Sequence, residues 1–187
     1  MNLVERFISK ESGQILDVGC GNVNVPGLQY CYWRLKAKYD VIGVDIRPGH
    51  YDNVLQASGT HLPFDSRSFK YVVSFDVIEH IRNFSAVIKE MLRVVKHRAI
   101  IIVPSTSRPL VRNALNWVRR MLGGAGSDLG ELVLQGHYYE FFPHEILYFK
   151  GDAFKAFHLT LDYPIYGRNL LRRAGIIFAG LYIFDRL

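Results

Sequence analysis

An α/β domain built on a mostly parallel sheet is the fold this sequence predicts, on three observations. A short apolar run near the N-terminus passes directly into acid and glycine, Gln14-Ile15-Leu16-Asp17-Val18-Gly19-Cys20-Gly21. That is the strand–turn–helix entry of a nucleotide-binding domain. Strand-like and helix-like segments then alternate, which implies parallel strands joined by crossovers. Finally, 187 residues, 49% of them hydrophobic and 21% charged, suffice for one domain over 1–187 with a sizeable core and leave little room for disorder.

Two cysteines, Cys20 and Cys31, make neither a disulfide framework nor a four-ligand zinc site, so a reducing cytoplasm is the expected compartment. Residues 1–13 mix charged and apolar side chains and do not read as a signal peptide. The apolar run at 174–184 is shorter than the ~20 residues a spanning helix needs. The formal charge of +6 is uneven: residues 1–95 carry net +1, and residues 96–187, with 12 Lys+Arg against 7 Asp+Glu, carry net +5. A phosphorylated or polyanionic partner would meet the second half; simple solubility is the plain alternative.

Residues 2–10 read as a short amphipathic helix with Leu3, Phe7 and Ile8 on one side. The first strand is 14–18. A helix over 26–38 tolerates Pro26 in its first turn. The second strand is 41–44, ending at Asp45, and Arg47-Pro48-Gly49 turns the chain. A brief third strand, 53–57, follows a link too short for a full helix. The fourth, 71–75, is β-branched and aromatic, suited to burial on both faces. A helix over 84–95 shows Val87, Met91, Leu92 and Val95 as its apolar stripe. The fifth strand, 99–103, closes at Pro104. Beyond it, 109–122 predicts a helix with Leu110, Ala114, Trp117, Val118 and Met121 on one face and Arg108, Arg112 and Arg119 on another. A glycine-rich loop at 123–136 comes next. A helix over 143–157, interrupted near Gly151, and strands at 159–163 and 177–184 complete the reading.

A glycine turn after the first strand lets backbone approach a ligand closely, and the N–H groups opening the next helix face it. The frame Gly19-Cys20-Gly21-Asn22-Val23-Asn24 lacks the third glycine of a dinucleotide site. Asp17 sharpens the distinction. A carboxylate beside the loop repels pyrophosphate but suits the ammonium of an amino-acid moiety, which argues against NAD and for an amino-acid-bearing nucleoside. Capping of the turn is the alternative. Asp45 ends the second strand 24 residues beyond Gly21, a spacing at which a carboxylate accepts hydrogen bonds from ribose hydroxyls. Its alternative is a strand-end turn before Pro48.

A third block, HLPFD at 61–65 and SFKYVVSFDVIEHI at 68–81, completes an ordered set. DVGCG, VIGVD, LPFD–SF and FDVIEHI together resemble the class I S-adenosylmethionine (SAM)-dependent methyltransferases, in particular the branch of ubiquinone- and menaquinone-biosynthesis methylases. The match runs from Gln14 to Pro104, with a weaker echo, GHYYEFFPHEI, at 136–146. The resemblance implies a Rossmann-like seven-stranded sheet, mostly parallel with an antiparallel last strand, helices on both faces, and a variable substrate-covering insert at about 105–142. It implies that Asp17, Gly19, Cys20 and Gly21 line the methionine portion, that Asp45 binds the ribose, and that Ile46 packs on the adenine. Ser58 and Gly59 fall where the family often has an acid contacting the adenine amino group, and Asp76 and Val77 close the site. Three departures matter: Val23 replaces a further glycine, Ser58 replaces the acid, and the link between strands two and three is short.

SAM carries an activated methyl group, so the protein chiefly aligns a nucleophile and excludes water. Where the acceptor must lose a proton, His80 is the candidate base, with Glu79 orienting it or holding a substrate hydroxyl. A helix-start histidine bonded to backbone is the alternative. His137 and Tyr138, with Tyr139, suit a substrate lid, or ordinary aromatic packing. The seven histidines are scattered without HxxxH or CxxC, so no metal is expected. Arg112 and its neighbours, with a second basic patch at 163–173, suit a lipid-linked or phosphorylated acceptor met at a membrane periphery. RNA phosphates would fit the same charges, and so would arginines that are merely solvated. The expected activity is methyl transfer to a small-molecule or lipid-linked acceptor. The rivals are a non-catalytic SAM-binding module working through a partner, and an RNA methyltransferase. Nucleic acid ranks lower because no RNA-binding appendage is recognisable.

Overall fold

The sheet is assembled from strands whose apolar residues bury both faces. In the computed structural model, described for residues 6–9, 13–21, 35–48, 52–105, 141, 143–161 and 178–187, seven strands form one sheet in the order β3-β2-β1-β4-β5-β7-β6. The strands are β1 Ile15–Val18, β2 Val41–Asp45, β3 Val54–Gln56, β4 Phe69–Phe75, β5 Val95–Ser105, β6 Phe154–Leu161 and β7 Phe178–Arg186. β1 to β5 pair in parallel, and β7 runs antiparallel to both β5 and β6. The Rossmann-like sheet with its antiparallel last strand is therefore present.

Alternation along the strands divides the core. Leu16, Val18, Val72, Ala99, Ile101, Tyr182 and Phe184 face one side, packed with Val87, Ile88 and Met91 of helix α1, Phe84–Val94. Ile15, Val41, Tyr71, Val73, Ile100, Ile102, Leu181 and Ile183 face the other. Asn83 caps α1, its side chain accepting from the Ala86 N–H. Arg98 of β5 pairs with Asp185 of β7 and donates to the Phe7 carbonyl at 2.8 Å, which ties the N-terminal segment to the sheet. No helix among the described residues is long and apolar enough to cross a membrane.

Arg93, in the last turn of α1, clamps the segment entering β4. Its guanidinium donates to the Phe64 carbonyl at 2.8 Å, to the Leu62 carbonyl at 3.1 Å and to Glu90 at 2.7 Å, while Glu90 accepts from the Leu62 N–H at 2.8 Å. Arg93→Met leaves two carbonyls without this donor and the Glu90 carboxylate with only the Leu62 N–H. It should cost roughly 1–3 kcal/mol, read as a lower denaturation midpoint with an unchanged slope; Lys89→Met, on the exposed side of α1, should cost far less.

Several boundaries move. β4 begins at Phe69, and β5 takes Val95 from the predicted helix and continues through Pro104 to Ser105. The expected helix over 143–157 is corrected: α2 covers only Pro143–Leu147, a 3₁₀ turn at Tyr148–Lys150 follows, and Gly151 (φ 50°) ends it. Residues 154–157 belong instead to β6, because pairing with β7 from Phe154↔Arg186 to Leu161↔Ala179 outweighs local helix propensity. The predicted strand at 159–163 accordingly starts five residues early. Of the helix expected over 2–10, Arg6 is 3₁₀ and residues 7–9 are a bend and irregular chain, while residues 2–5 and 10 lie outside the described residues. The helix expected over 109–122 and the loop at 123–136 lie outside the described residues, as does most of 26–38.

Candidate active site

The carboxyl ends of β1, β2, β3 and β4 meet at one pole of the sheet, and the chain leaving each brings a polar group there. β1 ends in a turn held against β2: the Gly19 N–H donates to the Val44 carbonyl at 2.8 Å and the Cys20 N–H to the same oxygen at 3.2 Å. Gly19 (φ 79°) and Gly21 (φ 80°) both occupy the left-handed region, which favours glycine. At Gly19 space matters as well, since a Cβ would lie 2.4 Å from Val77 Cγ2. Val77 thus packs against the glycine turn from the β4 side.

Asp45 braces this turn. One carboxylate oxygen accepts from the Gly21 N–H and the other from the Arg47 N–H, each at 2.9 Å. Each oxygen keeps a lone pair for a further donor. Asp17 is 2% exposed. Burial first, and the nearby Asp45 charge second, push its pKa up to about 7. The same causes, with Asp17 added, push the buried Cys20 thiol up, so it is inert rather than nucleophilic.

On the adenine side predicted from sequence, Ile46 is 66% exposed. The chain after β3 is tied to β2 through Ala57 N–H to the Asp45 carbonyl (3.0 Å) and Gln56 Nε2 to the Ile46 carbonyl (3.1 Å). Ser58 Oγ meets Thr60 Oγ1 at 2.8 Å, and Thr60 Oγ1 meets His61 Nδ1 at 3.0 Å. Gly59 packs beneath them, where a Cβ would lie 3.2 Å from both Val18 and Val87.

From β4 come Asp76, Glu79 and His80. Asp76 (φ 52°) stands in the left-handed region, which costs a non-glycine residue about 1 kcal/mol, and its N–H donates to the Ile102 carbonyl at 2.9 Å. Burial pushes its pKa up to about 7. Glu79, in the 3₁₀ turn Ile78–His80, is fully buried, and burial together with the Asp76 charge raises its pKa well above the carboxylate range. His80 Nε2 lies 3.9 Å from Glu79 Oε1, with its side chain 41% exposed.

Asp17, Gly19, Cys20, Gly21, Asp45, Asp76 and Val77 are therefore brought to one pole. Ile46, Ser58 and Gly59 lie on its β2–β3 flank and Glu79 and His80 on its β4 side. Arg112, His137 and Tyr138 lie outside the described residues. Two contributors escaped sequence reasoning. Ser74 Oγ donates to the Val18 carbonyl at 3.0 Å, pinning the strand end that carries the glycine turn; its signal was a lone hydroxyl inside the apolar run YVVSF. Thr60, the partner of Ser58, carried no signal. An open cavity of about 500 Å³, lined by Leu62, Pro63, Phe64, Asp65 and Ser68, lies on the chain entering β4, away from this pole. Among the described residues no three His, Cys, Asp or Glu side chains converge as metal ligands.

Residues 16–103 match a family model described as a methyltransferase domain. No curated protein matches the chain significantly in sequence. Among solved structures, a SAM-dependent methyltransferase from Methanosarcina mazei is similar at a TM-score of 0.63 and 17% identity, over 100% of this chain and 99% of that one. Magnesium protoporphyrin IX methyltransferase from Synechocystis, with bound S-adenosylhomocysteine, is similar at 0.61 and 16%, over 99% and 78%. Phosphoethanolamine N-methyltransferase 2 from Haemonchus contortus, in complex with phosphomonomethylethanolamine and S-adenosylhomocysteine, is similar at 0.65 and 15%, over 98% and 51%. The chain therefore has the fold seen in SAM-dependent methyltransferases, and the match to the methyltransferase-domain model spans somewhat less than half of it, residues 16–103.

Proposed function

We propose that this chain is a SAM-dependent methyltransferase acting on a small-molecule or lipid-linked acceptor. One observation carries the reading: two carboxylates 28 positions apart, Asp17 and Asp45, converge on one glycine turn, one buried and one bonded to its backbone. A buried acid beside a turn that admits no side chain fits a cationic ligand group, and a second acid with spare lone pairs fits a diol. The residues present thus suit an amino-acid-bearing nucleoside.

In this reading Asp17 receives the ammonium of the methionine part, with Gly19, Cys20 and Gly21 giving backbone access. Asp45 accepts from the ribose hydroxyls while holding Gly21. Ile46 covers the adenine, Ser58 and Gly59 border it, and Asp76 and Val77 close the site from β4. When bound, SAM supplies an electrophilic methyl group. His80 takes a proton from an acceptor that must lose one, and Glu79 orients it. Arg112, His137 and Tyr138 contact the acceptor. The acceptors in the names of similar proteins, a porphyrin and a phosphoethanolamine, differ enough that the shared fold favours neither.

Titration calorimetry with S-adenosylhomocysteine tests the cofactor. We expect saturable binding, weakened at least tenfold by Asp45→Ala and less by Asp45→Asn, which keeps an acceptor for the Gly21 N–H. A folded chain that ignores millimolar S-adenosylhomocysteine overturns the assignment. Binding without turnover across a broad acceptor panel would move it to the non-catalytic alternative.

A further inference from the structure

We propose that β6 is the pairing edge of a symmetric dimer, to which a second copy of this chain adds its own β6 antiparallel. Among the described residues β6 is the last strand of the sheet, paired on one side with β7. Natural edge strands of this length are guarded by charges, proline, bulges or a short span. The eight residues Phe154–Leu161, FKAFHLTL, contain one charge, Lys155, no proline, and an unbroken register with β7.

The apolar side chains continue past the point where the core closes. On one face Leu181 and Ile183 of β7 are buried. Their partners on β6, Leu159 and Phe157, are 45% and 52% exposed. Two large apolar side chains therefore stand side by side on the terminal strand of the sheet formed by the described residues, an arrangement that invites pairing.

The strand's own pattern selects the occupant. A two-fold axis perpendicular to the sheet and midway between the two copies' His158 pairs the strand with its copy in antiparallel register. Phe157 then stands opposite Leu159 of the second copy, and Leu159 opposite its Phe157, so both apolar pairs are matched by one operation. Lys155 falls opposite Leu161, away from the second copy's Lys155. Such an interface is isologous and closes at two copies; the backbone groups of each edge become the partners of the other. A foreign strand would need its own apolar pair at the same spacing, whereas a second copy carries it already.

Sedimentation velocity on the full chain tests this at roughly 100 µM, where an interface of micromolar Kd is saturated. We expect a dimer for the unsubstituted chain and a monomer for Phe157→Glu/Leu159→Glu, with unchanged far-UV circular dichroism. Register is read separately. Residues opposite each other in antiparallel strands lie within disulfide reach, so mild oxidation should crosslink His158→Cys. Lys155→Cys places its two thiols about 20 Å apart at ~3.3 Å per residue, so it should stay at the background set by Cys20 and Cys31 in the unsubstituted chain. If the double substitution fails to fold, the two cysteine variants decide. A monomer at that concentration, a dimer indifferent to both glutamates, or crosslinking of Lys155→Cys as strong as that of His158→Cys overturns the proposal. So does a monomer that instead captures another protein or a lipid vesicle through this strand.

Discussion

Asp17→Asn raises the stability of the ligand-free chain above neutral pH while removing most of its affinity for S-adenosylhomocysteine. Asp17 titrates near pH 7 in the folded chain, against an ordinary value of 3.8, because it is buried and lies near Asp45. A raised carboxylate means that the folded state keeps a proton the unfolded chain has released. The associated stability is fully present below about pH 4 and is lost as pH rises through 7. At pH 8 the penalty for holding the charge inside is of the order of 2–4 kcal/mol. Asparagine cannot ionise, so the variant should flatten the fall in stability between pH 4 and 8 and unfold at a higher denaturant midpoint at pH 8. The same charge is what an incoming ammonium requires. Affinity in the parent chain should therefore climb with pH up to about 7 and then level off, and the variant should bind weakly at every pH. Asp76, raised to about 7 by burial, adds a similar stability slope that Asp17→Asn leaves in place. Equal pH–stability curves for parent and variant would show that Asp17 is not held as described.

Gly19→Ala should be the most damaging single methyl group in the glycine turn. Two effects compound there. The φ of 79° costs a residue with a Cβ about 1 kcal/mol, and the added atom lies 2.4 and 2.6 Å from the two methyl groups of Val77. Overpacking of that kind costs roughly 1–3 kcal/mol. We expect 2–4 kcal/mol in total, with cofactor binding lost because the turn can no longer lie against β4. Val77→Ala removes both clashing methyl groups. A double-mutant cycle should therefore show strong coupling, the pair being less destabilised than the sum of its members, with the φ penalty left over. Additive effects would mean that the turn escapes the clash by moving as a unit.

How far the sequence spoke depended on the range of the forces involved. The strand–turn at 15–21 was legible because its signals are local: an apolar run, an acid at the strand end, glycines where a Cβ cannot fit. The spacing of Asp17 and Asp45 carried the candidate site, since parallel strands of known order place their carboxyl ends together. The C-terminal third was harder. FKAFHLTL satisfies a helix-like or a strand-like pattern equally, and 16 residues separate it from its pairing partner, β7. No local window contains the hydrogen bonds that decided it.

Chemistry divides along the same line. Residue types and order alone established an α/β sheet, a glycine turn flanked by acids, and the segment from β4 into α1, because each follows from backbone sterics or side-chain periodicity within a few residues. Tertiary structure alone decided that Asp17 is buried enough to titrate near neutrality, that Asp45 holds the Gly21 N–H, that Val77 forbids a Cβ at Gly19, and that Phe157 and Leu159 are about half exposed on the terminal strand of the described sheet. Desolvation, packing and strand order are properties of neighbours brought from far along the chain, and no sequence window records them.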